Sequence, residues 1–168
     1  RTLNDVNVKR IVPFGEKEVL IATDGKGIYR MNVDSCHAVP YIIADYTIHN
    51  GMNGNNINDV YVDGDERIWI ANYPSGITIR DNRYGGYRWT RHYVGNRQSL
   101  VNDQVHDVIE DSDGDLWFGT SNGISLYNSA TGNWHSFIST FDHELEDKNH
   151  IFLTLCEISP GVILAGGF

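Results

Sequence analysis

Three aspartates alternate in the stretch DSDGDLWFGTSNG, residues 111–123, with a glycine inside the run. Carboxylates at that spacing are the opening of a loop for a hard cation such as calcium, which takes oxygen ligands from alternate positions of a tight turn. A complete calcium loop also needs a glycine at its sixth position and a bidentate glutamate at its twelfth. Counted from Asp111, those positions hold Leu116 and Asn122. The alternative for the same residues is a hairpin turn between two strands. A second acidic stretch, HELEDKNH, is bracketed by His143 and His150 and reads as a charged loop before it reads as a metal site. Neither stretch predicts a metal or a cofactor.

Catalytic chemistry finds no better footing. No GxSxG, no HExxH and no pair of histidines on one face occurs, and the seven histidines are dispersed. Cys36 and Cys156 are too few and too far apart for a disulfide framework and lie in no CxxC, so they read as unpaired, partly buried thiols. No catalytic residue is expected.

The chain around these residues has 168 residues and a formal charge of -9, from 22 acidic against 13 basic side chains. That balance argues against a phosphate backbone or an anionic membrane surface as partner. No apolar run approaches the roughly 20 residues that cross a bilayer, so contact with a membrane is expected only through regions outside this chain. The start RTLNDVNVKR has neither an initiator Met nor the apolar stretch of a signal peptide, and the end VILAGGF falls inside a strand-like run. Both features suggest a piece of a longer protein. Seventeen glycines, nine tyrosines and four tryptophans tilt the composition toward strands and tight turns.

Internal repetition organises these strands. QVHDVIEDSDGDLWFGTSNGISLYN aligns with NINDVYVDGDERIWIANYPSGITIRD, so that Val105 falls on Ile57, Val108 on Val60, Trp117 on Trp69 and Gly119 on Ala71. A third copy, NVKRIVPFGEKEVLIATDGKGIYRMN, puts Val8, Ile11, Leu20 and Ala22 in those slots, and a fourth opens at HIFLTLCEISPGVILAGG. The units span approximately 7–48, 56–95, 104–140 and 150–168, the last one truncated. Each complete unit reads as four short strands, the size of one β-propeller blade. The fold class is therefore all-β: an incomplete propeller of about three and a half blades built from four-stranded antiparallel meanders.

The recurring residue types have packing reasons. Leu20, Trp69, Trp117 and Ile163 are large and apolar, as needed to fill the gap between twisted blades. Ala22, Ala71, Gly119 and Ala165, two residues later on the same strand face, are small and permit close approach. Gly27, Gly76 and Gly123 precede the third strand, where a turn with positive φ is expected. In the Arg- and Tyr-rich stretch 79–93, YGGY is read as the turn of the outer hairpin and Trp89 as the inward-packing counterpart of Trp134.

With these slots in place, NDQVHDVIEDSDGDLWFGTSNGISLYNSATGNWHSF resembles the two-component-regulator propeller repeat, and the linkers HNGMNGNNINDV and NRQSLVNDQVHDV resemble the lead-in to each blade of that family. The resemblance covers essentially the whole chain and is most specific where Trp69 and Trp117 occur. It implies a periplasmic sensor segment of an inner-membrane-anchored hybrid histidine kinase of the kind found in glycan-degrading gut bacteria. Its ligand would be an oligosaccharide, and the kinase and DNA-binding parts would lie elsewhere in the protein.

A propeller of this strand order projects the turns between second and third strands, and the linkers between units, to one rim. Those are TDGKG, NYPSG and TSNG, with the linkers around His49, Arg97 and FDHELEDKNH. Tyr73 can stack on a sugar face there, with Asn72, Arg97 and Asn122 available to hydroxyls. The opposite rim, 79–93, is a candidate surface for an anionic sugar or a partner subunit. Open blade faces predict self-association, or a homodimer of the full sensor. Two other readings stay open, a propeller lyase or glycosidase and a structural interaction module.

Overall fold

The structure, a computed structural model, describes residues 3, 5–45, 47, 51–81, 83, 86–138 and 150–168. Short runs of β-branched and aromatic residues, broken by Gly, Asp and Asn, form fourteen strands and no helix among those residues. The first blade is β1 (Asn7–Pro13), β2 (Glu18–Asp24), β3 (Ile28–Asn32) and β4 (His37–Ile42). The second is β5 (Ile57–Val62), β6 (Ile68–Asn72), β7 (Gly76–Asp81) and β8 (Gly86–Thr90), and the third is β9 (Val105–Glu110), β10 (Leu116–Thr120), β11 (Gly123–Tyr127) and β12 (Trp134–Phe137). A hairpin of β13 (Phe152–Ser159) and β14 (Val162–Gly167) opens a fourth. Every sheet is an antiparallel meander in chain order. The first strands, β1, β5, β9 and β13, contact one another in series, so the sheets stand side by side as an arc around a common axis. This is the open, all-β propeller architecture expected from the repeats.

Two apolar joints hold the arc. Leu20, Ala22, Ile28 and Ile42 of the first blade pack against Ile57, Val60, Ile68 and Ile70 of the second, with Met52 from the linker. Trp69, Ala71 and Ile77 of the second pack against Val105, Val108, Leu116, Phe118 and Trp134 of the third, with Leu100 from the linker. Thus the large slot of each β6-type strand faces the following blade, and the residues on either side of it face the preceding one. Trp117, whose next blade is only a hairpin here, stacks on Phe137 at 5.5 Å.

The small slot works as expected. A Cβ on Gly119 would lie 2.8 Å from the carbonyl oxygen of Phe152 on the next blade's first strand. The three glycines before the third strands have φ of 71°, 80° and 108°, and a Cβ there would meet a fourth-strand carbonyl at 2.5 to 2.6 Å. Both the backbone angle and the neighbour select glycine.

Two expectations are corrected. Trp89 does not pack inward: it is 44% exposed, against 8% for Trp134, and its indole N–H donates to the Gly51 carbonyl at 3.0 Å. The register explains this, because Trp134 pairs with Tyr127 while the corresponding pair in the second blade is Tyr87 with Arg80. Tyr87 is the true counterpart and joins the apolar joint. Cys36 and Cys156 are unpaired as expected but exposed, not partly buried. Cys36 sits in the β3–β4 turn with φ 51°, and Cys156 lies on β13. The residues Tyr84 and Gly85 of the expected YGGY turn lie outside the described residues.

Candidate functional site: the rim between the second and third blades

The acidic turn has an internal use. Asp111 Oδ1 accepts the backbone N–H groups of Asp113 (3.0 Å) and Asp115 (2.9 Å), and Oδ2 accepts the Trp117 indole N–H at 2.6 Å. The second blade repeats this with Asp63, which accepts from the Asp65 and Arg67 backbone and from the Trp69 indole at 2.8 Å. An aspartate six residues before the tryptophan therefore closes the first hairpin and aims the indole across the sheet. Among the described residues no group of three or more His, Cys, Asp or Glu side chains is arranged to hold a metal ion. His143 and the rest of 141–149 lie outside those residues, as does His49.

The rim is built by a recurring clasp. The glycine that starts each third strand donates its N–H to the end of the following linker: Gly27 to Asn55 (3.0 Å), Gly76 to Asp103 (2.9 Å) and Gly123 to His150 (2.8 Å). One residue later in the linkers, the Asn56 carbonyl accepts from Tyr73 N–H (2.9 Å) and the Gln104 carbonyl accepts from Ser121 N–H (3.0 Å). Turns between second and third strands thus sit beside the entry to the next blade. In the first and third blades a threonine completes the turn: Thr23 and Thr120 hydroxyls donate to the Gly27 and Gly123 carbonyls at 2.6 and 2.7 Å.

The second blade departs from this. Asn72 stands where the others have threonine, fully buried, and gives its Nδ2 hydrogen to the Gly54 carbonyl at 3.0 Å while Oδ1 has no partner. Tyr73 follows, on a cis bond to Pro74, with 38% of its surface exposed. Its ring lies 6.1 Å from that of His106 across the joint, tilted 35°. His106 Nε2 lies 2.8 Å from Ser121 Oγ. Burial holds the His106 titration below the usual histidine value, so the imidazole is neutral at pH 7. Asn122, exposed, follows Ser121 in the same turn.

The structure brings Tyr73, Asn72 and Asn122 to one rim and leaves Arg97 apart. Arg97 is exposed in the middle of the linker, next to Gln98, whose amide brackets the main chain of Trp134 at 2.9 and 3.4 Å. Trp134 starts β12 at the end of the blade opposite Ser121 and Asn122. His106 and Ser121 were not among the sequence candidates. The available signal was a mismatch within the repeats, since His106 aligns with Asn58 and Ser121 with Tyr73.

Two further polar features lie away from the rim turns. Asp59 and Asp107 are buried on the first strands of their blades, where Asp59 accepts Val108 N–H at 2.9 Å and Asp107 accepts Leu155 N–H at 2.6 Å. Arg10 of β1 reaches Asp59 at 3.2 Å. Burial above all, and then a hydrogen bond with Asp107, push the Asp59 carboxyl up to about 7, against the opposing pull of Val108 N–H and Arg10. On the opposite rim two arginines of the basic hairpin, Arg83 and Arg88, are paired with carboxylates, beside Arg67 of the β5–β6 turn. Arg67 pairs with Asp63 and Asp65, Arg83 with Asp65 and Asp81, and Arg88 with Asp81.

These features define the chain as a segment of a β-propeller with one irregular rim turn. Two of its stretches, 51–73 and 99–122, match the two component regulator propeller family, so the second and third units carry that repeat. No curated protein matches the chain. Among solved structures, the extracellular domain described as that of a hybrid two component system, BT3049, from B. thetaiotaomicron aligns at 21% identity with a TM-score of 0.77, over 95% of this chain and 22% of that one. A second such extracellular domain, of BT4673 from B. thetaiotaomicron, aligns at 20% identity with a TM-score of 0.68, over 94% and 21%. The RRP9 WD40 repeats align at 13% identity with a TM-score of 0.55, over 83% of this chain and 41% of theirs. The chain spans about a fifth of the length of the two bacterial structures. At these identities the likeness is one of fold, which unrelated functions share.

Proposed function

We propose that this chain is part of the extracytoplasmic, ligand-sensing propeller of a hybrid two-component regulator. Its ligand is an oligosaccharide in the periplasm, and its output passes to kinase and DNA-binding regions elsewhere in the protein. The observation that carries this reading is the two component regulator propeller repeat in the second and third units. The solved structures of the same fold that are described as extracellular domains of hybrid two-component systems support it. Tyr73 and Asn122 form the candidate contact surface; Asn72, expected to face sugar hydroxyls, is instead buried beneath the turn, and the linker carries Arg97 to the other end of the third blade. The open faces of the first and last sheets are where further blades or a second copy would seat.

The test is isothermal titration of the complete extracytoplasmic region with a panel of oligosaccharides, with products analysed in parallel. Heat of binding without turnover is the expected result. Turnover would replace the sensor by a lyase or glycosidase, and absence of any binding across the panel would leave only an interaction module.

A further inference from the structure

We infer that the joint between the second and third blades carries a subsite for one uncharged sugar ring, stacked on Tyr73 and hydrogen-bonded by His106 and Ser121. This rests on the reading of the propeller as a glycan sensor and names the place and the class of sugar within it.

The repeats supply their own control. Where the blades agree, the shared residue has a packing or turn-closing reason, as with Thr23 and Thr120, whose hydroxyls close their turns on Gly27 and Gly123. The second blade has a turn of the first blade's length between the same strands, its glycine clasped to the following linker by the same bond, at the place where a threonine closes the first. It has Asn72 and Tyr73 instead. Asn72 leaves a buried Oδ1 without a partner, a cost the threonine turns do not carry. Tyr73 belongs to neither apolar joint and remains 38% exposed. Asn72 returns one hydrogen bond, to the Gly54 carbonyl, but Tyr73 fills neither joint, which is the mark of a position kept for contact with something else.

The surroundings give the contact its chemistry. An aromatic face accepts the C–H face of a sugar ring, and the ring's edge needs a few fixed hydrogen-bonding groups. Tyr73 supplies the face from the second blade. The third blade supplies His106, with its ring 6.1 Å away, and Ser121, 2.8 Å from His106 Nε2. The hydroxyl and the imidazole hold one another in place, so the edge is organised before ligand arrives. None of Tyr73, His106, Ser121 and Asn122 carries a formal charge at neutral pH, since burial keeps His106 unprotonated. The paired arginines of the outer hairpin lie on the opposite rim. Among these four side chains an anionic sugar finds no charge to replace its hydration, whereas an uncharged one needs none.

The experiment uses the complete extracytoplasmic region and titrates it with uncharged gluco-, manno-, galacto- and arabino-oligosaccharides beside uronate-containing and sulfated ones. An uncharged oligosaccharide should bind. Tyr73→Ala should weaken it by about tenfold, while Tyr73→Phe keeps most of the affinity and His106→Gln or Ser121→Ala costs about threefold. Because Tyr73 is outside both apolar joints, the variants should melt with wild type. If Tyr73→Ala and His106→Gln bind an uncharged glycan as tightly as wild type, the glycan reading stands and this subsite is wrong. Binding of charged glycans alone would also overturn it. Failure of every glycan to bind would remove both readings together.

Discussion

The two joints of this arc are built on one backbone plan from opposite materials. Where the first blade meets the second, the four facing positions hold Leu20, Ile70, Arg80 and Tyr87; where the second meets the third, the equivalents are Trp69, Phe118, Tyr127 and Trp134. The second set forms a continuous aromatic cluster, with centroids 5.1 to 6.0 Å apart from Trp69 through Phe118 and Tyr127 to Trp134. The first mixes two aliphatic side chains with one aromatic and one cation, and Arg80 lies over the ring of Tyr41 at 4.5 Å. What recurs from blade to blade is therefore the volume to be filled and the strand register, while side-chain chemistry is free to differ. The joint with the stiffer, aromatic filling is also the one whose rim carries the irregular turn.

The largest expected effect follows from that difference. Trp69→Ala should cost roughly 3–5 kcal/mol, because a buried indole packed on two aromatic neighbours is removed and those neighbours are themselves held by the sheet. Leu20→Ala should fall at the lower end of roughly 2–5 kcal/mol, since the aliphatic side chains around it can move into the space. Denaturant midpoints at unchanged slope measure both. A larger loss for Leu20→Ala would mean that the aromatic joint is not the tighter one.

Asp59 connects the two joints, touching Arg10 on one side and Val108 N–H on the other. Its carboxyl titrates near 7 in the folded state, against 3.8 for the ordinary group, chiefly through burial and then through its bond to Asp107. Between those values the folded state holds the extra proton, so this group's contribution to stability is complete below about pH 4, declines as pH rises and is lost above about 7. Asp59→Asn cannot release a proton and should flatten that part of the profile. Melting temperatures of wild type and variant across pH 4 to 8 make the comparison; a difference that does not change with pH would show that Asp59 is charged throughout, with Arg10 as the dominant partner.

The fold was legible in the sequence because it rests on repeated volumes. Leu20, Trp69 and Trp117 recur with a small residue two places on, and that pattern survives large changes in everything between. Residue type misleads where the blades differ in side-chain chemistry: Trp89 looks like Trp134 but is two pairs away in register, and the residue seven after Arg80, as Trp134 is seven after Tyr127, is Tyr87. The rim site was half legible. Tyr73 announces itself as an aromatic in a turn, whereas His106 and Ser121 reach it from another blade, and contacts between units leave no local spacing to read. The use of Asp111 was hidden for a related reason, since its bond to the Trp117 indole depends on which way the ring turns on the sheet.

The two acidic turns sharpen the comparison further. Asp63 aims Trp69 into the closed aromatic joint, whereas Asp111 aims Trp117 toward the two-stranded fourth unit. Replacing either by Ala leaves two backbone N–H groups and an indole N–H to find other acceptors, at roughly 1–3 kcal/mol. Asp63→Ala should be the costlier, because Trp69 is 2% exposed and water cannot serve it. Calcium at millimolar concentration should leave the melting temperature of the wild type unchanged, because these carboxylates are occupied by the turn. A rise with calcium that disappears in Asp111→Ala would restore the cation loop.

The smallest effect concerns the irregular turn itself. Asn72→Thr gives the second blade the residue that the first and third use. The new hydroxyl should donate to the Gly76 carbonyl as Thr23 and Thr120 do to theirs, and the unpartnered Oδ1 disappears; the bond from Nδ2 to the Gly54 carbonyl is lost. One hydrogen bond gained, one lost and one orphan removed should leave stability within about 0.5 kcal/mol of wild type. A loss of about 2 kcal/mol or more would mean that Asn72 holds Gly54 and the linker in a way the threonine turns do not need, and the turn would then be irregular for the sake of the fold. Stability near wild type, together with weakened glycan binding, would instead assign the irregularity to the rim surface that Tyr73 and His106 present.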